Sequence, residues 1–110
     1  MSNAEHLMNK IDNEFENYVL ELKCLSKMAL IGRAEEIAAK KMIWKILRQK
    51  VVNLKARAQQ RLWLSEENLL DGVFHYVEDY ENTPEEAVDS FISSIIHPSK
   101  KGVSGEEKLP

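Results

Sequence analysis

The spacing of the apolar residues is the feature that most constrains the fold of this chain. In the N-terminal third they recur three and four residues apart, which places them on one stripe of an α-helix. The stripe consists of Met8, Ile11, Phe15, Tyr18, Leu22, Leu25 and Ala29. It predicts helix one over about residues 5–30, with Ser26 and Gly32 as candidate break points. Residues 2–4 resemble a protease scar and are left out of this prediction.

A second apolar rhythm predicts a longer helix. Its members are Ile37, Trp44, Leu47, Val51, Leu54, Ala58 and Leu62. No glycine or proline interrupts residues 33–64, so helix two is expected over about 33–63. Valine and asparagine are weak helix formers, so a kink or break near residues 51–53 is an alternative.

Capping residues predict two shorter helices in the second half. Ser65, followed by two glutamates, is expected to cap helix three over about residues 66–80. Thr83 and Glu86 have the spacing of a capping box, with a proline at the first helical position between them. Helix four is therefore predicted over about residues 84–96.

Composition agrees with an all-α chain. Four Gly and three Pro in 110 residues leave few turns for a many-stranded sheet, and one Cys excludes an internal disulfide. No apolar run reaches the roughly 18 residues that a membrane span needs. We predict a four-helix bundle, two long helices followed by two short ones. It forms one domain over residues 5–97, and a disordered tail follows over 98–110.

The charges are segregated along the chain. Residues 26–64 hold ten bases and two acids, whereas residues 65–97 hold nine acids and no Lys or Arg, although the net charge is only −3. One flank of helix two carries Lys41, Lys45, Arg48 and Lys55, and the other carries Lys50, Arg57 and Arg61. We favour neutralisation of these bases by helices three and four. The alternatives are contact with an acidic partner or nucleic acid, and least of all with a membrane, because anionic lipid would repel the acidic half.

Catalytic and metal-binding patterns are weak. Cys24 lies beside apolar residues and is expected to be a partly buried structural cysteine. Asp71, His75 and Asp79 share a helix face, but no second helix offers a His or Cys to complete a metal site. No phosphate loop or hydrolase motif occurs. We predict no enzymatic activity, no cofactor and no metal.

Protein–protein interaction is the function that the pattern favours most. Met42, Ile43 and Ile46 lie off the helix-two stripe and need a second buried contact, from helix one, helix three or another subunit. We predict a non-enzymatic interaction or regulatory protein, bacterial or phage-derived and cytoplasmic, with a dimer as one option. The predicted partner-binding residues are Lys41, Lys45, Arg48, Lys55, Met42 and Ile46.

Nucleic-acid binding through the basic flank of helix two is the alternative function. Ten bases in this part of the chain, with Trp44 and Trp63 nearby, offer phosphate contacts and a stacking surface. A helix-turn-helix arrangement is excluded, because helix four is acidic and a recognition helix must enter the groove of a polyanion.

The chain also resembles small uncharacterised helical domains carried by mobile elements of gut Firmicutes. The motifs concerned are Glu21-Leu22 to Leu25-Ser26, Ala34-Glu35-Glu36-Ile37, Leu64-Ser65-Glu66-Glu67 with Leu69-Leu70, and the acidic run before Phe91-Ile92. The resemblance implies an accessory role and transfers no functional residue.

Overall fold

The computed structural model describes residues 2–97, and in this range the chain is entirely helical, with no strand. The helices are α1 (Asn3–Lys23), α2 (Lys27–Gly32), α3 (Ala34–Val51), α4 (Ala56–Leu64), α5 (Leu69–Tyr80) and α6 (Pro84–Ile96). The all-α class is confirmed. The predicted count of four helices is wrong, because each of the two long helices is divided in two. The predicted tail over 98–110 lies outside the described residues.

The first division falls at Ser26, one of the two candidate break points. The Ser26 side chain accepts a hydrogen bond from the backbone N–H of Ala29 at 3.2 Å and so caps a new helix. The chain bends again at Arg33, whose backbone leaves the helical region at φ −106° and ψ 15°. Predicted helix one therefore ends at Lys23, and α2 is a separate short helix.

The second division falls at the weak helix formers near residues 51–53. The N–H groups of Asn53 and Leu54 bond to carbonyls only three residues back, which tightens the last turn of α3. The buried side chain of Gln59 then donates to the carbonyl oxygen of Val51 at 2.8 Å. The carbonyl oxygen of Val51, at the interrupted end of the helix, therefore accepts this bond in addition to the one from the N–H of Leu54.

The other helix ends follow their caps. The capping box of Thr83 and Glu86 is present, and α6 has the predicted bounds. The predicted cap of α5 is wrong, because Asn68 rather than Ser65 accepts the bond from the N–H of Asp71. Ser65 instead accepts from the N–H of Glu67 in the preceding turn.

The N-terminal boundary also differs from the prediction. Ser2 caps α1, and its side chain and backbone form a capping box with Glu5. The Asn3 side chain donates to the carbonyl oxygen of Ala56 at 3.1 Å and accepts from the indole N–H of Trp63 at 3.0 Å. The residues set aside as a scar therefore take part in the contact between α1 and α4.

Helix α3 lies among three other helices. It runs antiparallel to α1, since Asp12 bonds to Arg48 and Tyr18 to Glu36, and it also packs against α5 and α6. Helix α4 packs against α1 and α6. The buried core consists of Leu7, Ile11, Tyr18, Ile43, Leu47, Val51, Leu62, Leu69, Leu70, Val73, Ala87, Val88, Phe91 and Ile92.

Two glycines in helices are expected to respond to alanine in opposite directions. A Cβ at Gly72 would overlap the buried ring of Phe91, so overpacking exceeds the gain in helix propensity. We expect Gly72→Ala to lower the free energy of unfolding by about 1–2 kcal/mol. A Cβ at Gly32 meets nothing within 4 Å, so Gly32→Ala is expected to raise it by up to about 1 kcal/mol. Urea denaturation of both variants at low protein concentration measures the difference, and a loss at both positions would contradict the packing described.

Candidate interaction surface

The structure brings together three of the six predicted partner-binding residues. Lys41, Met42 and Lys45 are all exposed on the side of α3 that points away from the core, and the side chain of Met42 is 53% exposed. At 100° per residue these three positions fall within about 100° of one another. Gln49 continues the same exposed side one turn further along. We call Lys41, Met42 and Lys45 the α3 outer face.

The other three predicted residues lie elsewhere. Ile46 is half-buried and packs against the core. Arg48 is bound to the carboxylate of Asp12 on α1. Lys55 is exposed, but it lies beyond the break that ends α3 and precedes the first residue of α4. The predicted continuous basic flank is therefore interrupted, because helix two was assumed to be unbroken.

Neutralisation by the acidic helices accounts for part of the basic segment. The ammonium group of Lys40 lies 2.9 Å from Asp71 of α5, and that of Lys50 lies 2.7 Å from Asp89 of α6. Arg61 donates to the carbonyl oxygen of Ile96. Over residues 2–97, no carboxylate lies within 4.0 Å of six exposed bases of the basic segment: Lys27, Lys41, Lys45, Lys55, Arg57 and Arg61.

Both tryptophans are engaged within the fold. Trp44 stacks on Phe15 with ring centroids 4.4 Å apart, and its indole N–H donates to Asp12 at 2.9 Å. Trp63 stacks on His6 at 4.2 Å and donates to Asn3. Each ring therefore already has an aromatic neighbour and a hydrogen-bond partner, which reduces the stacking surface that nucleic-acid binding would use.

Met42, Ile43 and Ile46, the three apolar residues off the predicted stripe, differ in their burial. Ile43 is fully buried and Ile46 packs against the core, since α3 contacts α5 and α6 on that side. The second buried contact that these residues require is therefore supplied within the chain. Only Met42 stays exposed, so the three do not form one apolar patch.

Sequence reasoning missed a charged cluster between α1, α3 and α5. Lys40 is only 8% exposed, and its ammonium group lies 4.3 Å from the centre of the Tyr18 ring. The Tyr18 hydroxyl donates to Glu36 at 2.7 Å, and Glu36 also bonds to Arg33 and lies 3.8 Å from Lys40. One signal was present: the helix-two stripe skips from Ile37 to Trp44, and Lys40 fills the position between them.

Glu14 of α1 caps a different helix. Its carboxylate accepts a hydrogen bond from the N–H of Leu70 in the first turn of α5 at 3.0 Å, and its side chain is only 11% exposed. Burial raises the pKa of Glu14, although the bonds from the backbone N–H groups of Leu70 and Leu69 oppose the rise. For Glu36, burial is outweighed by the hydrogen bonds from Arg33 and Tyr18, so its pKa is lowered.

The candidate reactive groups form no assembled site. His75 pairs with Asp79 at 2.6 Å, whereas Asp71, the third residue of that helix face, is bound to Lys40. In the described part of the chain, no group of three His, Cys, Asp or Glu side chains is placed to hold a metal ion. The expectation that Cys24 is partly buried is wrong, because it is exposed at the end of α1. No helix within residues 2–97 has the length and apolarity to span a membrane.

Comparison with known proteins found no matching family, no similar curated protein and no similar solved structure. The geometry of the α3 outer face and of its surroundings is therefore the basis for a functional proposal.

The two partly buried glutamates, Glu14 and Glu36, give opposite pH predictions. The pKa of Glu14 is raised in the fold, so the folded protein binds this proton more tightly than the unfolded chain does. The stability that this proton provides is therefore complete below the unfolded pKa of 4.5 and is lost as the pH rises through the folded pKa. Glutamine keeps an oxygen that accepts the Leu70 N–H. We therefore expect the stability of Glu14→Gln, relative to the wild type, to increase from acid to neutral pH.

Glu36→Gln is the matched comparison. Because the pKa of Glu36 is lowered in the fold, its ionised form stabilises the protein above the unfolded value of 4.5, and this contribution is lost as the pH falls through the folded value. The stability of Glu36→Gln relative to the wild type should therefore decrease from acid to neutral pH. Urea denaturation across this range measures both trends, and equal trends for the two variants would contradict the assignments.

Proposed function

We propose that the protein is a non-enzymatic interaction or regulatory protein that binds an acidic protein partner through the α3 outer face. The observation that carries the proposal is the state of Lys41 and Lys45, which are exposed one turn apart with no carboxylate of the described chain within 4.0 Å. The cytoplasmic location and the bacterial or phage origin predicted from the sequence belong to the same proposal.

The α3 outer face combines two kinds of contact. Lys41 and Lys45 supply positive charge, and Met42 supplies a flexible apolar side chain that adapts to different partner surfaces. A partner that places carboxylates opposite the lysines and an apolar residue against Met42 would complete this face. The charges would mainly speed association and select the partner, and the apolar contact would slow dissociation.

Nucleic-acid binding remains the second candidate because Lys55 and Arg57 are also free of carboxylates. A nucleic acid that contacts Lys41, Lys45, Lys55 and Arg57 would use residues from both α3 and the start of α4. The engagement of Trp44 and Trp63 within the fold favours the protein partner over this alternative.

Charge reversal on two different helices separates the candidates. The partner is first crosslinked to a photo-reactive amino acid at position 42 and is then purified. The same amino acid at the exposed Gln60 of α4 is the control. Lys41→Glu with Lys45→Glu should weaken binding to that partner by about tenfold or more, because attraction becomes repulsion. Lys55→Glu with Arg57→Glu makes the same change in net charge and should have little effect. Isothermal titration calorimetry measures both double variants.

The outcomes decide between the functions. A fluorescent DNA duplex that binds at low salt, with both double variants impaired and a steep loss of affinity as salt rises, would support the nucleic-acid alternative. Two results would overturn the proposal. One is an equal yield of crosslinked partner at positions 42 and 60. The other is a purified partner whose affinity is unchanged by Lys41→Glu with Lys45→Glu.

A further inference from the structure

Helix α2 has no buried residue, although Ser26 caps its first turn. It contains six residues, and its exposed side carries Met28 and Ile31, which are 76% and 68% exposed. These are the two most exposed large apolar side chains over residues 2–97, and their spacing places them on the same face of α2. Isolated helices shorter than about 12 residues are marginally stable in water, so a helix of this kind gains most from an outside contact.

Gly32 lies beside these residues, and neither packing nor backbone conformation within its own chain requires a glycine there. It is on the same face as Met28, one turn later, and a Cβ there would meet nothing within 4 Å. No glycine in the described range has a positive φ, so the backbone does not require glycine at this position. A residue without a side chain does, however, allow the backbone of another molecule to come close.

The charges at the two ends of this segment are opposite. Lys27 begins α2 and Glu35 follows it in the first turn of α3, and both are exposed. Neither has an oppositely charged group of the described chain within 4.0 Å. We call Lys27, Met28, Ile31, Gly32 and Glu35 the α2 patch. Along the chain its order is basic, apolar, apolar, small and acidic.

We propose that the α2 patch binds the same patch on a second copy of this chain, antiparallel and about a two-fold axis. Reversing the order of the patch places Lys27 of each copy near Glu35 of the other, Met28 near Gly32, and the two Ile31 side chains near each other at the axis. A two-fold contact requires a surface that is complementary to itself, and this order of charges meets that requirement. A uniformly acidic partner is less suitable, because Glu35 would repel it.

The size of the patch sets the strength of the dimer. A six-residue helix and its flanking residues bury less than the roughly 1,000 Å² expected of a stable interface, so the dimer should dissociate on dilution. The patch shares no residue with the α3 outer face, so this inference goes beyond the proposed function and does not depend on it. Dimerisation would give one assembly two α3 outer faces and hence bivalent binding.

Sedimentation velocity from micromolar to millimolar concentration tests the dimer. The wild type should pass from monomer to dimer, whereas Ile31→Glu and Gly32→Gln should stay monomeric at every concentration. Both variants should keep the helical circular dichroism of the dilute wild type, and neither should melt at a lower temperature, since these side chains have little contact with their own chain. Leu64→Glu replaces a similarly exposed leucine of α4 and should leave dimerisation unchanged.

A charge exchange tests the antiparallel pairing itself. Lys27→Glu alone places like charges at both ends of the contact and should weaken the dimer, and addition of Glu35→Lys should restore it. Cys24, the single cysteine of the chain, is exposed three residues before Lys27 and provides a second readout. A bismaleimide should link two copies of the wild type through this residue, and Ile31→Glu should abolish the link.

Three results would overturn the inference. In the first, the wild type stays monomeric and is not crosslinked at millimolar concentration. In the second, the dimer persists in both Ile31→Glu and Gly32→Gln. In the third, addition of Glu35→Lys does not restore the dimer that Lys27→Glu weakens. None of them affects the test of the α3 outer face, because that experiment measures binding of a different molecule at different residues.

Discussion

The packing of three helices around α3 is the constraint on which the rest of the structure depends. Contacts with α1, α5 and α6 take up most of the circumference of α3 and leave one exposed strip. A basic residue that points toward a neighbouring helix must find a carboxylate or remain an unpaired charge near the core, which is costly. Lys40 and Lys50 meet this requirement with Asp71 and Asp89. Lys41 and Lys45 lie on the exposed strip, where solvent removes the requirement.

Local sequence signals were sufficient for helix type and for several helix ends. The apolar spacing and the capping box of Thr83 and Glu86 act within a few residues, so they can be interpreted without tertiary structure. The division of helix two is different. Weak helix formers marked a region where a break was an alternative, but the bond from Gln59 to Val51 exists only because α4 folds back on the chain. The first turn of α5 likewise bonds to Glu14 from α1, which no local pattern indicates.

Only part of the candidate surface was predictable, for a related reason. A helical wheel shows which residues share a side of one helix, but not which sides neighbouring helices cover. Arg48 lies next to Lys41 and Lys45 on the wheel, yet α1 brings Asp12 against it. Lys55 was assigned to the same flank because helix two was assumed to be continuous. The α2 patch was not predicted, since Met28 and Ile31 lie off the predicted stripe and no separate helix was expected to carry them.

The segregation of charge has two consequences that act on different scales. At short range, a few ion pairs fix α5 and α6 against α3, and partly exposed pairs of this kind each contribute only about 0.2–1 kcal/mol. They therefore favour one arrangement of the acidic helices more than they stabilise the fold. At longer range, the acidic helices add a negative field close to the free lysines of α3. The acidic partner that we propose would have to overcome that field, so its binding would require a close fit to the α3 outer face. That requirement favours a specific partner over general attraction to any polyanion.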